Sequence, residues 1–174
     1  MKNFKKGFTL IELLIVIALL GALAVGLLAA LDPFEQLKKG TDTGVRNTVS
    51  EVQGAIVRYY AIKNQMPWCT TTAPCVLRDG VAEPSGVTLA TLPNTLAEVI
   101  ATGELKADFA TLAGAGTLSK ITITGNDTNA TVAVCFKPLA KSFIADNNTK
   151  FTIDGQDTCG AVDATHATCY WCVN

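Results

Sequence analysis

Residues 6–31 read KGFTLIELLIVIALLGALAVGLLAAL, and this stretch decides how the chain is built. From Leu13 to Leu31 there are 19 consecutive residues without a charge, enough to cross a bilayer as a helix. One acid, Glu12, stands at the head of that run. A lone carboxylate in a membrane span is costly, so a chain that carries one is expected to provide a partner for it. Lys2, Lys5 and Lys6 precede the run, which favours an N-terminus in the cytoplasm and a downstream domain outside. The run is longer than the apolar core of a cleavable secretory signal, and it flows into more helix-compatible sequence. On topology alone an ordinary signal anchor explains the segment equally well.

Working outward, FEQLKKGTDTGVRNTVSEVQGAIVRYYAIKN follows Asp32-Pro33. Val45, Val49, Val52, Ile56 and Tyr59 recur at steps of four and three, the single apolar face of an amphipathic helix. Lys38, Arg46, Glu51 and Arg58 lie mostly off that face. Pro33 suits the first turn of a second helical section, with Asp32 as its cap. A helix running from Phe8 to about Lys63 would be on the order of 80 Å long. Met66-Pro67 is expected to end it. Asn94 or Thr95 caps a short helix near 94–105, with Leu96, Val99, Ile100 and Leu105 facing inward. The period then shifts to two. Antiparallel strands are expected near 119–125, 130–137 and 150–154, with a turn at Gly125-Asn126-Asp127. Gly155 to Asn174 reads as a Cys-rich loop.

Composition narrows the functional classes. The 174 residues carry 14 basic and 15 acidic groups, a net charge of -1, so no global basic field for nucleic acid exists. Past Leu31 the chain is rich in small polar residues and poor in aromatics, and small cores of that kind often need staples. The six cysteines, Cys69, Cys75, Cys135, Cys159, Cys169 and Cys172, all lie downstream of the apolar run. An even count in an exported domain reads as disulfides, formed outside the cytosol, with 15 arithmetically open pairings.

Lys6-Gly7-Phe8-Thr9-Leu10-Ile11-Glu12-Leu13-Leu14 resembles the prepilin signature of the type IV pilin superfamily, which takes in pilins and the pseudopilins of type II secretion. The likeness lies in a basic leader ending in Gly, an aromatic, and an acid four residues later, all opening a long apolar helix. It is strong over residues 1–31 and extends to about Pro67; beyond that only the order of elements matches. The resemblance implies cleavage by a prepilin peptidase between Gly7 and Phe8, N-methylation of Phe8, and pairing of Glu12 with the Phe8 amine of a neighbouring subunit. Physical chemistry supports that pairing. Cleavage creates a cation that the precursor lacks, and opposite charges attract strongly in a low dielectric. Such a pair fixes register more than it adds net affinity. In one respect the sequence departs from many family members, which carry a proline late in the apolar helix. Here Leu28-Ala29-Ala30 occupies that neighbourhood, so flexibility would come from Gly21, Gly26 and Pro33.

Other signals have plainer readings. Cys169-Tyr170-Trp171-Cys172 invites a redox or metal site, but no βαβ context surrounds it and structural disulfides fit better. The favoured pairing is Cys69–Cys75, Cys135–Cys172 and Cys159–Cys169, with a direct Cys169–Cys172 bridge as its competitor. Asp154 and Asp157, with Asp146 and Asn148 nearby, offer oxygen ligands that calcium favours, and polar turns are the alternative. Asn126, Asn129 and Asn147 fit the N-x-Thr glycosylation pattern, which plain turns explain as well. Lys137, Lys141 and Lys150 could form a small patch for DNA, or a solvated face. His166, the single histidine, has no catalytic partner in view.

The reading is therefore an α+β, pilin-like protein: a long N-terminal helix packed on a small antiparallel sheet with a disulfide-stapled C-terminal region. Residues 1–7 form a leader, 8–31 the membrane and filament-core half of the helix, 32–65 its amphipathic half, and 66–174 the globular head. The expected function is structural, with no enzymatic activity and no cofactor beyond the calcium question. Subunits would leave the membrane and polymerise into a helical homo-oligomeric filament, most simply as the major pilin of a type IV pilus serving motility, adhesion or DNA uptake. Prepilin peptidase, an inner-membrane assembly platform and its ATPase would be partners, with DNA or surface ligands left open. The precursor would be a single-pass membrane protein and the filament extracellular. The alternatives are a major pseudopilin of type II secretion, a minor initiating pilin, and a membrane-anchored redox or metal-binding protein using Cys169 and Cys172.

Overall fold

The computed structural model describes residues 7–71, 75–80, 83–156, 159 and 168–174. The chain divides into two compact units, Met1–Leu37 and Lys38–Asn174.

In the first unit, helix α1 spans Leu10–Ala30 and every one of its residues is exposed. It stops at Leu31, whose backbone is extended (φ -102, ψ 130). Helix α2, Pro33–Lys63, then begins afresh. The long N-terminal helix therefore runs in two sections that meet at Leu31-Asp32, with Pro33 opening the second as expected. The cause of the break is Pro33, which disfavours helical geometry at Asp32 but suits the first position of a new helix. Asp32 serves as the cap, its Oδ1 accepting from the amides of Phe34 (3.1 Å) and Glu35 (3.3 Å).

The second unit holds one core. From α2 the buried face is Asp42, Val45, Val49, Val52, Ala55, Ile56 and Tyr59. It joins Ile121, Ile123, Val132, Val134, Phe136 and Trp171 of a five-stranded sheet in a single hydrophobic cluster. The strands are β1 (Val87–Thr88), β2 (Ile121–Asn126), β3 (Thr131–Phe136), β4 (Thr149–Phe151) and β5 (Tyr170–Val173). Their order is β1-β2-β3-β5-β4, antiparallel at every step. Three strands were expected, and the region after Gly155 was expected to be loop. Instead β5 is inserted between β3 and β4, with Cys135 opposite Cys172 and Phe136 opposite Trp171. Trp171 and Cys172 are consecutive and both buried, so this strand lacks the alternation that reveals a half-exposed one. Arg46 of α2 lies over the Trp171 ring at 4.3 Å, tying helix to strand.

α2 ends at Lys63, where it was expected to end, because Asn64 adopts positive φ (51°) and its amide closes on the Tyr60 carbonyl at 2.7 Å. One turn differs from expectation. Gly125 lies inside β2 rather than in the turn. A Cβ there would stand 2.2 Å from the Trp68 ring, so only glycine lets the buried indole lie against the strand. The same indole donates from Nε1 to Asp127 Oδ1 at 2.5 Å. Burial, opposed by that hydrogen bond and reinforced by the Glu83 charge, leaves the Asp127 carboxyl above its ordinary range.

Two acids fasten the head. Asp42, 2% exposed on α2, takes the amides of Leu139 (2.8 Å) and Ala140 (2.7 Å) on one oxygen. It thereby anchors the chain just ahead of a short helix, Lys141–Ile144, which has no side-chain cap. Asp42→Ala leaves two amides without their acceptor, that of Ala140 buried and that of Leu139 partly so. It is expected to cost about 2–4 kcal/mol, read as a lower denaturant midpoint, and Asp42→Asn should cost less because an acceptor oxygen remains.

Helix α3 spans Pro93–Ala101, with Leu92 at the cap position and no side-chain cap of its own. The expected caps, Asn94 and Thr95, are instead capped by Asp79, which accepts from both their amides (3.0 and 2.8 Å) and from the Thr95 hydroxyl (2.5 Å). Partial burial pushes the Asp79 carboxyl upward, but these hydrogen bonds together outweigh it, and its pKa lies below the ordinary value. A carboxylate with a depressed folded-state pKa contributes stability above its unfolded pKa and loses it as pH falls through the folded value. The stability gap between the natural chain and Asp79→Asn should therefore shrink as pH drops below about 4. A gap constant with pH in unfolding titrations would contradict this. α3 ends before 105 because Gly103 (φ 82°) closes a Schellman turn, with Gly103 N on Ile100 O and Glu104 N on Val99 O.

Candidate functional site

The site built by the sequence signature lies at the start of α1. Gly7, Phe8 and Thr9 precede the helix, and Phe8 is 79% exposed. The Gly7–Phe8 bond is thus outside any regular hydrogen-bond ladder, as a peptidase requires of its substrate. Thr9 is extended (φ -83, ψ 151) and caps the helix. Its hydroxyl accepts from the Glu12 amide at 3.3 Å. Glu12 answers with one oxygen, Oε2, which accepts from the Thr9 amide at 2.8 Å and the Thr9 hydroxyl at 2.6 Å. This is a reciprocal capping box. Among the described residues, Oε1 of Glu12 takes no hydrogen bond. The carboxylate is therefore held at the helix head, with an oxygen free for a cation. Thr9 was not singled out in the sequence, although Thr-x-x-Glu is the signal that reveals such a box.

α1 is the one described helix long and apolar enough to cross a membrane, with a mean hydropathy of 2.9. At Gly21 and Gly26 nothing lies within 4 Å of where a Cβ would stand, so packing inside the subunit does not require glycine there. Pro33 occupies the first position of α2. Lys2, Lys5 and Lys6 lie outside the described residues.

In the head, the cysteines pair as Cys69–Cys75, Cys135–Cys172 and Cys159–Cys169. Cys169 and Cys172 are thus bonded to different partners, and no free thiol stands among the described residues. Cys69, Cys75 and Asp127 are close enough to share a metal ion, but the two sulfurs bond each other and offer no thiolate.

Asp154 accepts from the Thr152 hydroxyl and, at 3.5 Å, from the Gln156 amide. The Thr152 hydroxyl is the main reason its carboxyl lies below the ordinary range. Asp157 and His166 lie outside the described residues. Asp146 closes an Asx turn on the Asn148 amide (2.9 Å) and faces Arg46 at 3.8 Å. Among the glycosylation-pattern residues, Asn126 is tied to Glu83 and to the Asn129 amide, whereas Asn147 is exposed. Lys137 and Lys141 are exposed, and Lys150 lies over the Phe151 ring at 5.5 Å.

A small–aromatic junction, an acid fixed at the head of an exposed apolar helix, and an α+β head stapled by disulfides are the features that the prepilin resemblance implies. The family model described as the prokaryotic N-terminal methylation motif matches residues 2–28. The chain thus carries the N-terminal signal typical of type IV pilins and pseudopilins on an α+β pilin fold, and the signal marks it as a substrate of prepilin peptidase. No curated protein and no solved structure matches it.

Proposed function

We propose that this chain is a structural subunit, the major pilin of a type IV pilus. After cleavage between Gly7 and Phe8 and methylation of the new amine, subunits pack by their apolar helices into a helical filament outside the cell. An inner-membrane platform and its ATPase drive that assembly. The filament serves motility, adhesion or DNA uptake, and the subunit itself is neither an enzyme nor a cofactor carrier. One observation carries the reading: α1 leaves its entire apolar surface exposed behind a single positioned acid. Such a surface needs lipid before assembly and other copies afterwards. A long helix with a separate stapled head also suits a repeating subunit.

Imaging cell-surface fibres with and without this subunit tests the proposal. Loss of fibres on deletion is the expected result. Intact fibres with lost protein export would instead make the chain a secretion pseudopilin.

A further inference from the structure

A groove of about 1010 Å³ opens on the head. It is lined by the Glu83–Ser85 segment, the β2–β3 hairpin, the Asp154–Gln156 turn, and Gln53 and Val57 of α2. Its lining is set before any ligand arrives. Gly125 N donates to the Pro84 carbonyl at 2.7 Å, Gly86 N to Thr124 Oγ1 at 2.8 Å, and Asp127 N to Glu83 Oε1 at 3.1 Å. Across the groove, Thr152 N donates to the Gln156 carbonyl at 2.9 Å. Gly155, at φ +78°, comes so close to the hairpin that a Cβ would meet the Ala133 Cβ at 2.7 Å. A groove already ordered in this way spares a ligand the cost of ordering it.

Its chemistry is selective. Among the described residues no Lys, Arg or His lines it, so none of them offers a charged group for a phosphate, sulfate or carboxylate. Both oxygens of Glu83 are taken, by the Asn126 amide group and the Asp127 amide, and Asp154 Oδ1 is taken by Thr152. That weakens the case for a cation. Apart from Asp154 Oδ2, the uncommitted capacity is neutral. The side-chain amides of Gln53, Asn129, Gln156 and Asn174 all line the groove, and none is hydrogen-bonded among the described residues. Each offers two donors and an acceptor, the complement of a ligand whose hydroxyls both donate and accept. Phe151, Pro84 and Ala133 supply apolar surface for the C–H face of a sugar ring. The volume lies at the upper end of ordinary small-molecule sites.

We infer that this groove binds a neutral saccharide of one or two rings. The inference goes beyond the filament reading and does not require polymerisation, so either can fail without the other.

The test uses the full chain, ¹⁵N-labelled in phosphocholine micelles that contain no sugar. Lactose, cellobiose and N,N′-diacetylchitobiose are the probes. At least one should give saturable shifts of the Asn129, Gln156 and Asn174 side-chain amide signals, with a Kd on the order of millimolar. Asn129→Ala combined with Gln156→Ala, both on exposed side chains, should weaken binding at least about tenfold while leaving the melting temperature unchanged. The inference is overturned if no probe gives saturable shifts up to about 100 mM, where even a weak site fills. It is equally overturned if the double variant binds as well as the natural chain, or if spermidine or sulfate shifts these signals and the sugars do not.

Discussion

Glu12→Ala should be cleaved at Gly7–Phe8 nearly as well as the natural chain, yet yield at least about tenfold fewer filaments, with subunits left in the membrane. In the isolated subunit Glu12 caps its own helix through Thr9, using Oε2 alone. In the proposed filament its carboxylate faces the Phe8 amine of a neighbour, a cation that cleavage creates. Removing the acid leaves that amine uncompensated in an apolar surround, and removing one member of a buried pair costs far more than the pair itself contributes. Register then loses its anchor although the apolar surface is unchanged. Glu12→Gln separates the two roles, because glutamine keeps the capping box but not the charge. The filament account expects Gln to assemble as poorly as Ala. Assembly rescued by Gln would transfer the role of Glu12 to capping, and equal assembly of all three would remove the register argument. Quantifying sheared filaments against total processed subunit gives the ratio directly.

The head should be most sensitive to the loss of Cys135–Cys172. The three bridges close sequence separations of 37 (Cys135–Cys172), 10 (Cys159–Cys169) and 6 (Cys69–Cys75). Chain entropy then assigns them about 4, 3 and 2 kcal/mol in that order. Domains of this size have roughly 5–15 kcal/mol in total, so the first figure is a large share. Position adds to it. Cys135 and Cys172 face each other across β3 and β5, and β5 alone joins β4 to the rest of the sheet. Replacing both by Ala should lower the denaturant midpoint most and expose Trp171, whose fluorescence reports the event. A larger loss from the Cys69–Cys75 double variant would show that local packing around Trp68 outweighs loop length.

Legibility in the sequence followed the physics of each element. The inward face of α2 was plain because five apolar residues at helical spacing have one interpretation. The N-terminal signal was plain because a basic leader, a Gly-aromatic junction and a lone acid before a long apolar run form a specific pattern. Three kinds of feature stayed hidden. β5 did not show because a central strand of four residues carries no alternation. The break at Leu31-Asp32 was half visible: Pro33 and Asp32 announced a new helix, but not that the preceding residues would leave helical geometry. Asp42, Asp79 and Gly125 act through partners far along the chain, at Leu139 and Ala140, at Asn94 and Thr95, and at Trp68 respectively. No local pattern encodes such pairings. Thr9 is a different case, since its capping box was readable and the membrane interpretation of Glu12 obscured it.

The most direct measurement is the intact mass and N-terminal sequence of subunits recovered from purified filaments. The account predicts a chain that begins at Phe8 with a methylated amine. Fibres of ordinary form built from subunits that still carry Met1–Gly7 would contradict it, because the Phe8 nitrogen would then be a neutral peptide amide with no charge for Glu12 to meet.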